Sequence, residues 1–176
     1  MHPRAMLYLV GLAAPLGLFA LYVHTRPAAF RIVRSRVINA SPAAVFAKLN
    51  SFRAWQSWSP WEGIDPQLER TYEGPEAGPG AVYKWRGNNK VGEGMMKLTE
   101  SVPGAKVALD LTFIKPFPAE NKTVFTLEAE GDATRVTWEM RGENAFMAKA
   151  FGVFVNMDAL VGKDFVKGLD QLAATL

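Results

Sequence analysis

The chain has 176 residues, of which 49% are hydrophobic, and a formal net charge of +3. This length suits one domain with a proper core. It contains no cysteine, which excludes disulfides and thiol nucleophiles. Both histidines, His2 and His24, flank an N-terminal apolar run, so the predicted folded domain lacks the commonest general base and most zinc ligands. The sequence predicts no cofactor and no metal site.

Positive charge is concentrated near the N-terminus. The first 61 residues contain seven basic residues and no Asp or Glu, whereas the remainder has an excess of four acidic residues. Because the body of the domain is net acidic, nucleic acid is not predicted as a partner. Most of these N-terminal basic residues follow an apolar stretch that has the composition of a membrane-spanning segment.

That stretch predicts a transmembrane anchor at residues 6–23, after an N-terminal tail at 1–5. Met6 to Val23 is eighteen residues without a charge, close to the shortest length that crosses a bilayer. A cleaved signal peptide and a helix packed into the domain are the alternatives. The arginines beyond residue 23 favour a cytoplasmic domain on a bacterial inner membrane, with export to the periplasm as the alternative. Residues 24–29 are a short linker.

In the remaining chain, apolar and polar residues alternate over short segments that turn residues separate. This pattern predicts a single β-rich domain. Strands are predicted at 30–39, 68–73, 81–87, 91–101, 105–114, 121–130 and 134–142. Short helices are predicted at 42–49, 52–57 and 145–155. A terminal helix carries an apolar stripe of Met157, Val161, Phe165, Leu169 and Leu172, with Lys163, Lys167, Asp170 and Gln171 facing outward.

The most specific segment runs from Val37 to Trp61. Ser41 can cap a helix that Pro42 opens, and three tryptophans follow: Trp55, Trp58 and Trp61. Further motifs are Tyr72-Glu73-Gly74, Gly78-x-Gly80, Trp85-x-Gly87, Gly92-x-Gly94 and Thr137-Trp138. In this order they resemble the START-like (SRPBCC) superfamily, the polyketide cyclase/dehydrase and lipid-transport group. The resemblance covers residues 30–176. It implies an α+β helix-grip fold, in which a curved antiparallel sheet wraps around a long C-terminal helix.

Few side chains suggest catalysis. Most carboxylates, including Glu93, Glu128 and Glu139, are interpreted as solvated charges. Glu62 and Asp65 are better candidates because they follow the tryptophan cluster in a loop, where sites are often placed. The glycine pairs do not lead from a strand into a helix, so they are interpreted as turn and bulge glycines and not as phosphate cradles.

Large apolar residues dominate the predicted concave face. Such walls, with few polar groups, are typical of small-ligand sites, and the resemblance implies a cavity of this kind. The candidate ligand-binding residues are Trp58, Trp61, Tyr83, Trp85, Met96, Leu109, Leu111, Phe113, Phe125, Leu127, Trp138, Met140, Val161 and Phe165. For any one of these a core role is the stronger interpretation, and the set taken together is what favours a ligand site.

The sequence therefore predicts a membrane-anchored domain that binds a hydrophobic small molecule, such as a lipid or a quinone-like isoprenoid. The first alternative is a polyketide cyclase or dehydratase, which a carboxylate beside Tyr83 would favour. The second is a partner-binding module with a closed interior. Whether the chain is an enzyme stays open, although the lack of histidine and cysteine in the predicted domain is typical of a binding protein.

Overall fold

A seven-stranded antiparallel sheet forms the body of the molecule in the computed structural model, which describes residues 15–176. The strand order is β1-β7-β6-β5-β4-β3-β2, so each strand from β2 to β7 lies beside its sequence neighbour. The first strand instead pairs with the last. The strands are β1 (Ala29–Ile38), β2 (Glu69–Glu73), β3 (Val82–Arg86), β4 (Glu93–Val102), β5 (Lys106–Lys115), β6 (Ala119–Glu130) and β7 (Ala133–Glu143).

Five helices accompany the sheet within the described part of the chain. Residues 15–25 are helical and are called α1 here. The others are α2 (Pro42–Leu49), α3 (Phe52–Trp55), α4 (Phe146–Phe151) and α5 (Met157–Ala174). The α+β helix-grip architecture predicted from the sequence is confirmed for the sheet and the C-terminal helix. Helix α5 packs against β1, at one edge of the sheet, and α2 packs against β5, β6 and β7.

Capping side chains explain where α2, as predicted, and α5 begin. The Ser41 side chain accepts a hydrogen bond from the backbone N–H of Ala44, and Pro42 occupies the first turn. Asn156 caps α5 in the same way, by accepting from Ala159. Trp55 caps the C-terminal end of α2. Its indole N–H donates to the carbonyl of Leu49, which has no hydrogen-bond partner within the helix.

Several predicted boundaries differ from the structure. The helix predicted at 52–57 ends at Trp55, and the one predicted at 145–155 is helical only over Phe146–Phe151. The linker predicted at 24–29 is shorter, because α1 continues to residue 25 and β1 begins at Ala29. Gln171 does not face outward as predicted, but is half-buried.

The predicted anchor is described only in part. Its first residues, 6–14, lie outside the described residues. Its last ones belong to α1, where Val23 is fully buried and Phe19 stacks on Phe154 with ring centroids 5.9 Å apart. From residue 15 onward, no helix combines the length and the apolar character needed to cross a membrane.

Aromatic side chains fill the core between α2, α3, α5 and the sheet. The rings of Trp138 and Phe165 stack in parallel with centroids 4.1 Å apart, which joins β7 to α5. Trp58, only 1% exposed, meets Trp138 edge to face at 5.7 Å. Offset and edge-to-face arrangements of this kind add to the stabilisation from apolar burial alone. The side chains around Trp58, Trp138 and Phe165 are thus packed against one another without a gap.

Candidate functional site

The sheet registers place the candidate strand residues on one face, which we call the inner face. Tyr83 pairs with Met96, Met96 with Leu111, and Phe125 with Trp138. Since side chains alternate along each strand, residues paired directly across strands point the same way. The predicted inward orientation of these side chains therefore agrees with the strand registers.

Burial divides the candidate residues into two groups. One group is buried within the core: Trp58, Tyr83, Leu109, Phe125, Leu127, Trp138, Met140 and Phe165. The other is half-buried: Trp61, Trp85, Met96, Leu111, Phe113 and Val161. Phe165 touches Trp138 directly, so no gap separates α5 from β7 at that point. A role for the buried group in ligand binding stays a prediction.

Four half-buried residues lie together on β3, β4 and β5, and we call them the inner patch: Trp85, Met96, Leu111 and Phe113. The rings of Trp85 and Phe113 meet edge to face at 5.8 Å. Gly94 explains the position of the Trp85 ring, because a Cβ at residue 94 would collide with it. The indole N–H is held by the carbonyl of Val91 at 3.1 Å. The inner patch is thus an ordered apolar surface that the core does not cover completely.

A polar cluster of Glu62, Arg70 and Tyr83 borders the inner patch. The Tyr83 hydroxyl donates to Oε1 of Glu62 at 3.0 Å. Arg70 donates to Oε2 from Nε at 2.9 Å and from Nη2 at 2.5 Å. Arg70 pairs with Trp85 across β2 and β3, and the Tyr83 ring stacks on Trp85 at 6.1 Å. The polar cluster and the inner patch therefore share an edge.

The electrostatics of the polar cluster keep Tyr83 protonated. Burial raises the pKa of Tyr83 well above its ordinary value, and the negative charge of Glu62 raises it further. The hydrogen bond to Glu62 raises the pKa of Arg70. Tyr83 is consequently a hydrogen-bond donor at neutral pH and not a base. The Glu62–Arg70 pair carries no net charge, which favours an uncharged polar group as its neighbour.

An open pocket of about 310 Å³ lies beside this cluster, on the side of Glu62 and Arg70 away from Tyr83's core position. Glu62 and Arg70 line it with Trp58, Gly63 and a set of polar side chains, namely Gln56, Ser57, Ser59 and Gln171. The amide oxygen of Gln171 is buried and accepts no hydrogen bond from the described residues. A buried acceptor without a partner costs free energy that a donor on a ligand would recover. The pocket is therefore polar where the neighbouring inner patch is apolar.

Of the two loop carboxylates favoured from the sequence, only Glu62 lies in the pocket. Asp65 is buried and accepts hydrogen bonds from the backbone N–H groups of Gln67 and Asn88, which ties its own loop to the turn after β3. Glu93 is not freely solvated as predicted, since it pairs with Arg86 and Lys115. Within residues 15–176, no group of three His, Asp or Glu side chains could hold a metal ion.

Sequence reasoning missed Arg70 and Gln171. Arg70 lies two residues before Tyr72, so strand alternation alone puts its charge on the inner face, where a charge needs a partner. That signal was present in the sequence. Gln171 carried no such signal. It lies off the apolar stripe of α5, so the helical pattern predicts exposure, and only the tertiary structure shows the loop containing Glu62 beside it.

The antiparallel sheet and the long C-terminal helix packed against it define a helix-grip protein. The chain belongs to the polyketide cyclase/dehydrase and lipid transport family, whose model matches residues 29–176. No curated protein matches the chain.

Solved structures share the fold at low sequence identity. A protein from Chromobacterium violaceum matches with a TM-score of 0.60 and 17% identity, over 82% of this chain and 95% of its own. The Aha1 dimer from Colwellia psychrerythraea matches with a TM-score of 0.59 and 19% identity, over 84% and 96%. CalU16 from Micromonospora echinospora matches with a TM-score of 0.56 and 15% identity, over 82% and 73%. These likenesses establish the fold alone.

Proposed function

We propose that this protein binds an amphipathic small molecule of the lipid or isoprenoid class. The apolar part of the ligand would lie on the inner patch and its polar end on the polar cluster. The observation that carries the proposal is the shared edge between these two surfaces, at Trp85 and Arg70. Ligand sites in proteins typically combine apolar walls with a few oriented polar groups. The family description, which includes lipid transport, supports the same class of ligand.

The charge balance of the polar cluster limits which polar headgroup the ligand can have. Glu62 already neutralises Arg70, so a ligand carboxylate would meet Glu62 as a like charge. A hydroxyl can donate to a remaining lone pair of Glu62 or to the amide oxygen of Gln171, and a carbonyl can accept from Arg70. We therefore expect prenols and quinone analogues to bind better than fatty acids of the same chain length.

Membrane attachment is part of the proposal. Residues 6–23 would form a single-pass anchor, and the three residues between α1 and β1 would hold the pocket near the bilayer into which such ligands partition. The arginines that follow favour a cytoplasmic domain. Carbonate extraction together with N-terminal sequencing of the mature protein tests this part. Release from the membrane, or a mature protein that begins near Ala28, would contradict it.

Ligand binding is tested by quenching of tryptophan emission with a fluorescent fatty alcohol and the corresponding fatty acid. Leu111→Trp should fill the space above the half-buried inner patch and abolish quenching, with little loss of thermal stability. Leu109→Trp is the matched control, because Leu109 lies on the same strand and face but is only 1% exposed. The control should destabilise the domain through overpacking. If Leu111→Trp unfolds the domain as severely and neither probe binds the native protein, the interior is solid and a partner-binding role is favoured.

A second candidate function is a cyclase or dehydratase acting on a polyketide-like substrate. The specific observation in its favour is a carboxylate hydrogen-bonded to Tyr83, inside a pocket that a substrate can enter. In such an enzyme Glu62 would accept the proton lost by the substrate, while Arg70 and Tyr83 would orient the carboxylate. Mass spectrometry after incubation with a poly-β-keto thioester would reveal cyclisation or loss of water. Glu62→Gln should stop turnover and keep binding of the alcohol probe.

A further inference from the structure

Exposed apolar side chains are concentrated at one end of the sheet. This end contains the start of β1, the turn between β5 and β6, the end of β7 and all of α4. Of the seventeen large hydrophobic residues that are exposed in the described part of the chain, eleven lie at this end or on α1. They are Leu16, Leu18, Leu21, Tyr22, Ile114, Phe117, Phe146, Met147, Phe151, Phe154 and Met157. We call this set the apolar end.

Contacts join α1 to the α4 region, and strand pairing places the Phe117 turn at the same end of the sheet. Phe19 of α1 stacks on Phe154, and the Lys149 ammonium donates to the carbonyls of His24 and Arg26 at 3.0 and 3.1 Å. The start of β6 pairs with the end of β7, which places the turn carrying Phe117 beside the segment leading into α4. Phe154, Phe117 and Met147 are 78%, 71% and 67% exposed. Patches of this extent on a soluble surface mark a contact with a partner or a membrane.

We infer that the apolar end of the folded domain inserts into the interfacial region of a lipid bilayer. The first argument is the composition of the sequence that precedes this end of the domain. Residues 6–14, just before α1, are uncharged and apolar. A bilayer that holds this segment necessarily lies next to α1. Aromatic and aliphatic side chains on the membrane-facing side of a domain are typical of interfacial contact.

Charge is the second argument. Residues 144–157 carry a single charge, on Lys149, and its ammonium is hydrogen-bonded to the backbone carbonyls of His24 and Arg26. No acidic residue occurs in the first 61 residues, so α1 and the exposed Arg26 at its end do not repel an anionic headgroup. Glu120, Glu143 and Asp158 are exposed at this end together with Arg26 and Lys115, so its border carries both signs of charge. The near-absence of charge from its centre is what suits a bilayer. This inference concerns the folded domain; its first argument rests on the proposed anchor, and it does not depend on the proposed ligand.

The lack of cysteine makes the test direct, since a single introduced thiol is a unique labelling site. Phe154→Cys and Met147→Cys are labelled with the environment-sensitive dye NBD in the full chain. The labelled proteins are reconstituted into vesicles of phosphatidylcholine and anionic phosphatidylglycerol. Val102→Cys is the matched control, because Val102 is an exposed apolar residue at the end of β4, at the opposite end of the sheet. Circular dichroism confirms that each variant is folded.

The inference predicts blue-shifted emission at positions 147 and 154 and quenching by lipids that carry doxyl groups. The dye at position 102 should show neither effect. Unquenched, solvent-like emission at 147 and 154 in vesicles that still retain the protein would show an anchor without contact by the domain, and would overturn the inference. Blue-shifted emission without lipid quenching would overturn it equally, because another protein surface, such as a second copy of the chain, would then cover the patch. Neither outcome depends on whether the fluorescent alcohol binds.

Discussion

Both carboxylate oxygens of Glu62 accept hydrogen bonds within the polar cluster. Oε1 of Glu62 accepts from Tyr83 and Oε2 accepts from Arg70, and the Glu62 side chain is only 12% exposed. A carboxylate in this setting depends on its donors, since an unpaired charge away from water is costly. Each donor partly compensates for loss of the other. The cluster is therefore a unit in which stability and binding cannot be assigned to one residue.

This dependence predicts non-additive substitutions. Arg70→Met should lower the free energy of unfolding by about 1–3 kcal/mol, and Tyr83→Phe by less, because a neutral donor contributes less than a charged one. The double variant should lose more than the sum of the two, since it leaves Glu62 with neither donor. Urea unfolding of the four proteins measures the coupling. Additivity within experimental error would show that the two bonds act independently.

The tryptophans of the Trp58-Ser59-Pro60-Trp61 segment differ in burial. Trp58 is enclosed by Trp55, Phe125 and Trp138, whereas Trp61 is half-buried against Trp138 and Phe165. Trp58→Ala should therefore cost about 3–5 kcal/mol. Trp61→Ala should cost clearly less, because part of its ring already contacts water. Chemical denaturation followed by circular dichroism compares them, and equal costs would contradict the difference in packing.

At the scale of elements, glycines set how closely α5 approaches its neighbours. A Cβ at Gly168 would lie 2.8 Å from the Trp138 ring and 3.0 Å from Pro60, two rigid groups. A Cβ at Gly162 would meet the guanidinium of Arg34, the flexible end of a side chain that also pairs with Asp158. The helix is thus held closely at its C-terminal half and more adjustably near its start.

Alanine at these two positions should have different effects. Alanine favours a helix by about 1 kcal/mol over glycine, whereas overpacking a rigid core costs about 1–3 kcal/mol. Gly168→Ala should lower the melting temperature, because neither the Trp138 ring nor Pro60 can move aside easily. Gly162→Ala should change it little, since the Arg34 side chain can shift. Thermal unfolding of the two variants provides the measurement, and the reverse order would contradict this account of α5 packing.

The strands were predictable because their apolar residues alternate, and α2 because Ser41 and Pro42 mark its start. The division of the inner face into buried and half-buried residues was not predictable from the sequence. Leu109 and Leu111 have the same side-chain type, strand and face, yet Leu109 is buried and Leu111 is half-buried. That difference depends on where α2 and α5 cover the sheet, which no local pattern records. Glu62 was a candidate from its loop position, but its pairing with Arg70 required the tertiary structure.

At the scale of the whole molecule, ion pairs connect separate elements. Arg31 on β1 lowers the pKa of Glu139 on β7, and Arg34 on β1 lowers the pKa of Asp158 on α5. Lys115 on β5, followed by Arg86 on β3, lowers the pKa of Glu93 on β4. A carboxylate whose pKa is lower in the folded state contributes stability above its unfolded-state pKa and loses that contribution as the pH falls.

Stability should accordingly decline in acid. The decline begins as the pH approaches the ordinary pKa values of 4.5 for Glu and 3.8 for Asp, and continues through the lower folded-state values. Glu139→Gln should flatten the acid limb of a plot of melting temperature against pH. Glu128→Gln, at an exposed position on β6, is the matched control. An equal acid dependence in the wild type and in Glu139→Gln would show that the Arg31–Glu139 pair does not couple folding to protons.

The pairing of β1 with β7 has a consequence for how the protein is made. Arg34 lies opposite Trp138, so a ribosome must add 104 more residues after Arg34 before its cross-strand partner exists. Throughout that interval β1 is an unsatisfied strand edge directly behind an apolar N-terminal segment, a combination prone to association. Contacts between such distant residues also slow folding. A nascent chain that stalls before β7 therefore has no native arrangement for its first strand, and we expect stalled chains to associate more readily than the completed protein.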